Sequence, residues 1–179
     1  DRTRGNVAIG SYTMDAALND ARYNVAMGMH SLGAVTTGDN NIGIGYQAGD
    51  AMTSTSNTVL IGYAAGSAIN SADSNGTIAI GYQAGVNITE AVGSVIMGYQ
   101  AGYNVITNDY NVFIGYQAGF DADSADTNAY YNSYVGAFSG KNMDDGAGNT
   151  ALGSYALRGT DSAGNDAAQC VAVGVSALE

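Results

Sequence analysis

Apolar residues along this chain come in short bursts of three, each closed by a glycine, and the bursts recur at nearly constant spacing. Val7-Ala8-Ile9-Gly10, Ile42-Gly43-Ile44-Gly45, Val59-Leu60-Ile61-Gly62 and Val112-Phe113-Ile114-Gly115 show the pattern. With the closing glycine as position 0, ten copies are anchored at Gly10, Gly28, Gly45, Gly62, Gly81, Gly98, Gly115, Gly136, Gly153 and Gly174. Successive anchors lie 17 residues apart in five of the nine intervals and 18, 19 or 21 apart in the rest. Position −1 is apolar in every copy. Position −3 is Val or Ile in eight of them, the exceptions being Ser133 and Thr150. Residues two apart share a face of an extended chain, so each copy predicts a strand.

Position −2 is apolar as well, for example Leu60, Ala79, Ile96, Phe113 and Tyr134. A strand apolar on both faces is covered on both. One face fills the inside of the chain's own coil. A 17-residue coil has no second layer for the other, so a partner chain is expected there, with the Ile96 and Phe113 column turned toward it. A third apolar column at +7 (Val35, Met52, Ile69, Ile88, Val105, Met143) predicts a second, shorter strand per copy.

Units this short cannot bury a face alone; stacked neighbours supply the cover. Gly-Tyr-Gln-Ala-Gly segments with Thr, Asn and Val oppose helix. The expected fold is all-β: a parallel β-solenoid, or β-roll, of about ten coils forming one unit over residues 1–179. At roughly 4.8 Å per coil the rod is about 45–50 Å long. The extra residues of the longer copies fall in 70–76, 121–132 and 161–168, stretches rich in Asp, Asn, Ser and Gly that suit exposed turns.

Composition by itself points elsewhere. Leu, Ile, Val and Phe make up only 33 of 179 residues and the net charge is −11, which resembles a disordered chain. Register reverses that reading. Of the 26 glycines, ten form the anchor column and six more, Gly49, Gly66, Gly85, Gly102, Gly119 and Gly140, form a second at +4. The absence of Pro suits unbroken backbone ladders. No basic residue lies between 23 and 140, where eight acids do, so the phosphate neutralisation that nucleic acid requires is missing. A single Cys excludes an intrachain disulfide framework, and no apolar run is long enough to insert in a membrane as a helix.

Candidate chemistry is sparse. Tyr46, Tyr63, Tyr82, Tyr99 and Tyr116 occupy position +1, with Gln47, Gln83, Gln100 and Gln117 beside them. They read as stacked ladders, with a regular surface for sugar, ice or a partner as the alternative. Asn6, Asn24, Asn41, Asn111, Asn132 and Asn149 at −4 read as an internal ladder or turn cap, with Cys170 a small buried substitute. Three acidic groupings offer oxygens of the kind calcium takes: Asp121, Asp123, Asp126 and Asn128; Asp144 with Asp145; and Asp161 with Asp166. They lack the Gly and distal Glu of an EF-hand and read as solvated turns. His30 is the only histidine, so neither a zinc site nor a triad has material. No catalytic, cofactor-binding or metal residue is assigned, and the chain is expected not to be an enzyme. The sequons at Asn75 and Asn87 carry no weight.

Asn6-Val7-Ala8-Ile9-Gly10, Asn41-Ile42-Gly43-Ile44-Gly45-Tyr46-Gln47-Ala48 and Asn149-Thr150-Ala151-Leu152-Gly153-Ser154-Tyr155-Ala156-Leu157 resemble the repeats of bacteriophage tail-fibre proteins. They are also similar to the head repeats of YadA-like trimeric autotransporter adhesins. The resemblance covers all ten copies and implies a left-handed parallel β-roll assembled as a homotrimer around a shared axis. It implies a stiff virion tail shaft that takes part in host attachment, with other tail proteins and a host surface receptor as partners. The alternative is the head of an adhesin on the bacterial cell surface, which a signal peptide and membrane anchor in the full gene would favour; a monomeric ice- or carbohydrate-binding solenoid ranks third. The adhesin-head repeat is shorter than the 17 residues here. The fibre-type repeat ends in Leu, as at Leu32, Leu157 and Leu178, where the middle copies have Gly. That Gly is expected to make room for the Tyr side chains or to permit a left-handed backbone. Glu179 falls partway through a coil, so the chain is expected to be a fragment of a longer fibre.

Overall fold

The structure is a computed structural model describing residues 3–107, 109–122, 130–143, 146–159 and 167–179. Ten three-residue strands follow one another: β1 (Val7–Ile9), β2 (Val25–Met27), β3 (Ile42–Ile44), β4 (Val59–Ile61), β5 (Ile78–Ile80), β6 (Val95–Met97), β7 (Val112–Ile114), β8 (Ser133–Val135), β9 (Thr150–Leu152) and β10 (Val171–Val173). They stack in chain order into one parallel sheet. Equivalent positions pair throughout, as in Val59↔Ile78, Leu60↔Ala79 and Ile61↔Ile80. Each pass of the chain is one coil of a parallel β-solenoid, as the period predicts. Among the described residues there is no α-helix, only a 3-10 turn at Ala72–Ser74 in the two-residue expansion.

Among the described residues the second strand does not form. Val35, Met52, Ile69, Ile88 and Val105 are buried, but on irregular backbone, and the nearest trace of a second strand is the isolated bridge Glu90↔Thr107. Positions +2 and +4 adopt left-handed backbone, with φ of 54° at Gln47 and 61° at Gly49, which no strand accommodates. Coil-to-coil hydrogen bonding nonetheless continues through the turn. Gln83 N–H donates to the Tyr63 carbonyl at 2.8 Å, whereas Gly66 N–H donates to the Ala84 carbonyl at 3.0 Å, running the other way along the rod. Residues of alternating φ sign thus keep N–H and C=O groups aimed along the axis without a strand, and every coil stays paired.

The strand faces are the reverse of the expected assignment. Position −2 points inward: Ala26, Leu60, Ala79, Ile96, Phe113 and Tyr134 are all fully buried, while −3 and −1 look outward. The turns decide this. Buried residues at +3, +4 and +7 approach the strand from inside and leave room for one inward side chain per strand.

That interior is filled in two complementary ways. Coil 2 has Ala26 on the strand and Leu32 on the turn, both fully buried; coil 9 does the same with Ala151 and Leu157. Coil 7 has Phe113 on the strand and Gly119 on the turn, and a Cβ added at Gly119 would lie 2.9 Å from the Phe113 ring. Where both positions are small, as at Gly43 and Gly49, Leu32 and Leu60 lean in from the adjacent coils. Gly at +4 therefore makes room for the inward strand residue and not for the Tyr column. The left-handed backbone does not itself demand it, since Leu32 adopts a φ of 48° there. The anchor glycines differ. Gly28 has a φ of 125°, and a Cβ on it would sit 2.6 Å from the carbonyl oxygen of Gly45, backbone that cannot move aside.

Position −4 is the polar seam of the core. Asn24, Asn41, Asn132 and Asn149 are fully buried. Asn132 Oδ1 accepts from Asn149 N–H at 2.9 Å, and its Nδ2 donates to the Gly146 carbonyl at 2.7 Å. Asn24 repeats both bonds, to Asn41 and Gly38. Each amide ties two points of the next coil, so the expected internal ladder is present.

Candidate functional site

The outer sheet face is a regular surface running along the rod. Its −3 and −1 columns carry Val25, Met27, Ile42, Ile44, Val59, Ile61, Ile78, Ile80, Val95, Met97, Val112 and Ile114 in register. Each is half-buried at most or exposed, and several stand more than a third open. Ten stacked parallel strands with an aliphatic outer face depart from the usual burial of parallel sheets on both sides. A contiguous apolar patch of this kind marks an interaction surface.

Beside it runs an aromatic ladder. Tyr46, Tyr63, Tyr82, Tyr99 and Tyr116 stack with ring centroids 5.1–5.3 Å apart and planes within 19° of parallel. His30 meets Tyr46 edge-on and stacks on Tyr12; Phe138 meets Tyr116 edge-on and stacks on Tyr155. Nine rings therefore run in one line. The Gln column forms its own ladder, with Gln117 donating to Gln100 at 2.9 Å and Gln100 to Gln83 at 3.0 Å. Because each tyrosine covers its neighbour's face, only ring edges and hydroxyls reach solvent. A sugar seeks ring faces, and a self-stacked ladder offers none along its length. Thr36, Thr53 and Thr89 stand at +8 in a partial column that is no better as a template, since the Thr36 and Thr89 hydroxyls donate to carbonyls of the following coil.

The basic groups among the described residues are tied up locally. Arg22 pairs with Asp20 at 2.8 Å, and that hydrogen bond holds the guanidinium above its ordinary pKa. Arg4 lies over Tyr23, Lys141 over Phe120 and Phe138, and Arg158 over Tyr155 while pairing with Glu179. His30 lines a hollow of about 420 Å³ with Tyr12, Asp15, Gly33 and Asp50. No three His, Cys, Asp or Glu side chains among the described residues are arranged to hold a metal ion.

Of the proposed acidic groupings, Asp121 accepts a hydrogen bond from the Asn104 amide. Asp123, Asp126, Asn128, Asp144, Asp145, Asp161 and Asp166 lie outside the described residues. Cys170 is half-buried rather than buried, because its coil has no described neighbour beyond it. Its N–H still donates the last bond of the Asn ladder, to Asn149 Oδ1 at 2.9 Å.

Sequence reasoning missed two features. It did not see that the ladder runs on through His30 and Phe138, because those rings stand at +2 while the tyrosines stand at +1. It also turned the −2 column, Tyr134 included, toward a partner chain. In fact Tyr134 is wholly enclosed, receives a 3.4 Å hydrogen bond from Asn149, and burial pushes its phenol pKa well up. No helix among the described residues is long and apolar enough to cross a membrane. No protein-family model, curated protein or solved structure matches the chain, so its function has to be read from this geometry.

Proposed function

We propose that the chain is a structural segment of a bacteriophage tail fibre, a stiff homotrimeric shaft that supports host attachment. The observation that carries this reading is the largely aliphatic outer face, interrupted only by Ser133 and Thr150 among the strands, for which three copies around a common axis supply mutual cover. The function is mechanical. Backbone ladders along the rod resist stretching, the Asn seam fixes register, and the shared apolar axis resists bending. Such a rod holds a receptor-binding part away from the virion and joins it to other tail proteins.

Light scattering tests the assembly directly. The expected mass is three times the 18.1 kDa chain. Ile61→Asp with Ile80→Asp, on the outer face, should yield monomers that keep their β-sheet signal. A monomeric parent protein would overturn the shared axis. In the intact phage, deleting residues 98–114 should shorten the fibre by one coil and preserve adsorption. Virions that assemble and adsorb normally without any copy of the chain would sink the fibre role.

A further inference from the structure

The tyrosine ladder places like phenols against one another rung after rung. Four successive pairs, Tyr46–Tyr63, Tyr63–Tyr82, Tyr82–Tyr99 and Tyr99–Tyr116, have centroids 5.1–5.3 Å apart. Near-parallel planes one rung apart make each phenol the stacked neighbour of the next. The five side chains are 37–46% exposed, which admits an oxidant and leaves the rings free to tilt toward one another. The phenol run is bounded by edge-on His30 and Phe138.

We propose that this ladder is an oxidative modification site at which neighbouring phenols couple into dityrosine, a covalent staple between successive coils. The oxidant is a one-electron acceptor such as a haem peroxidase charged with hydrogen peroxide. Each of two adjacent phenols loses one electron to the oxidant and its hydroxyl proton to water. The two phenoxyl radicals join through ring carbons ortho to oxygen, and the hydrogens on those carbons shift to the oxygens, restoring both aromatic rings. Two electrons and two protons leave per staple, and one peroxide is reduced to two waters. Stacking favours the step because the partner of a newly formed radical is an identical phenol already in van der Waals range. Tyr103 lacks such a partner, since it stacks on Phe120, and Tyr134 is enclosed. Tyr110 and Tyr131, stacked at 5.4 Å, form one separate pair that meets the same condition. The staples join rungs of one chain and are independent of the oligomer.

The experiment treats the native protein with peroxidase and peroxide, then maps cross-linked peptides by mass spectrometry. The expected products are chains of single-chain mass, bearing dityrosine fluorescence, with links between Tyr46, Tyr63, Tyr82, Tyr99 and Tyr116 at successive rungs. The oxidised protein should unfold at a higher temperature than the untreated one. Tyr82→Phe keeps the stacked ring but has no hydroxyl to oxidise. It should abolish the Tyr63–Tyr82 and Tyr82–Tyr99 links while Tyr46–Tyr63 and Tyr99–Tyr116 persist. Dityrosine confined to covalently joined chains, links that ignore the ladder order, or tyrosine consumption without dityrosine would each overturn the proposal.

Discussion

Coils 2 and 7 occupy equivalent turns of the same rod and solve one packing problem with opposite residues. Coil 2 puts Ala26 on its strand and reaches across with Leu32 from its turn. Coil 7 puts Phe113 on its strand and removes the turn side chain at Gly119. The backbone is the same in kind, because Leu32 and Gly119 share left-handed φ values of 48° and 57°. What is held constant is interior volume, which protein cores fill to near crystal density. In most coils a large residue at one of these positions accompanies a small one at the other, so the repeat varies in pairs. Coils 3 and 5, with Gly43 and Gly49 or Ala79 and Gly85, are small at both, and side chains of adjacent coils reach in.

The comparison can be broken most severely by emptying one side of it. Phe113→Ala leaves coil 7 small at both positions and removes the stack on Tyr134, 5.3 Å away. A loss of about 3–5 kcal/mol is expected in denaturant titrations. The seam that both coils share comes next. Asn132→Ala orphans the buried N–H of Asn149 and the Gly146 carbonyl, and about 2–3 kcal/mol should be lost. The same change at Asn6, which is only half-buried, should cost visibly less. Equal losses at the two sites would show that the seam does not depend on enclosure.

Overfilling is the third test. Gly119→Leu drives a side chain into the Phe113 ring and should destabilise by roughly 1–3 kcal/mol. Combined with Phe113→Ala it rebuilds the arrangement of coil 2, so the double variant should be more stable than Phe113→Ala alone. Additive losses would refute the volume argument. The smallest effect concerns Tyr134, which carries a hydroxyl where Phe113 has none. Its folded pKa lies above its unfolded value of 10, so the unfolded chain gives up the proton first. That contribution to stability is complete below about pH 10 and is lost as pH rises toward the folded pKa. Tyr134→Phe should therefore flatten the alkaline limb of the stability curve while costing about 1 kcal/mol at neutral pH.

Much of this was legible because a solenoid writes each structural position many times. Position −1 is apolar in all ten copies and the anchor glycine is invariant among them, so strand, turn and coil boundary follow from one alignment of the chain on itself. The Asn seam was legible for the same reason. Chemistry of function was not, because a repeated residue is equally repeated whether it packs or binds. The tyrosines illustrate this: column spacing predicts stacking, but only ring geometry shows that their faces are consumed by one another.

The sequence alone determined the period, the parallel register and the absence of helix, because these depend on local backbone preference and on which residues recur. It could not determine which way a strand apolar on both faces is turned. Ile96 and Ile80 look equally suited to a core, yet Ile96 is enclosed and Ile80 half-open. That choice belongs to the tertiary structure, since it is settled by Leu32, Ile69, Ile88 and the other turn residues that arrive from across the coil. Those residues leave space for one inward side chain per strand and commit the other two to the outside.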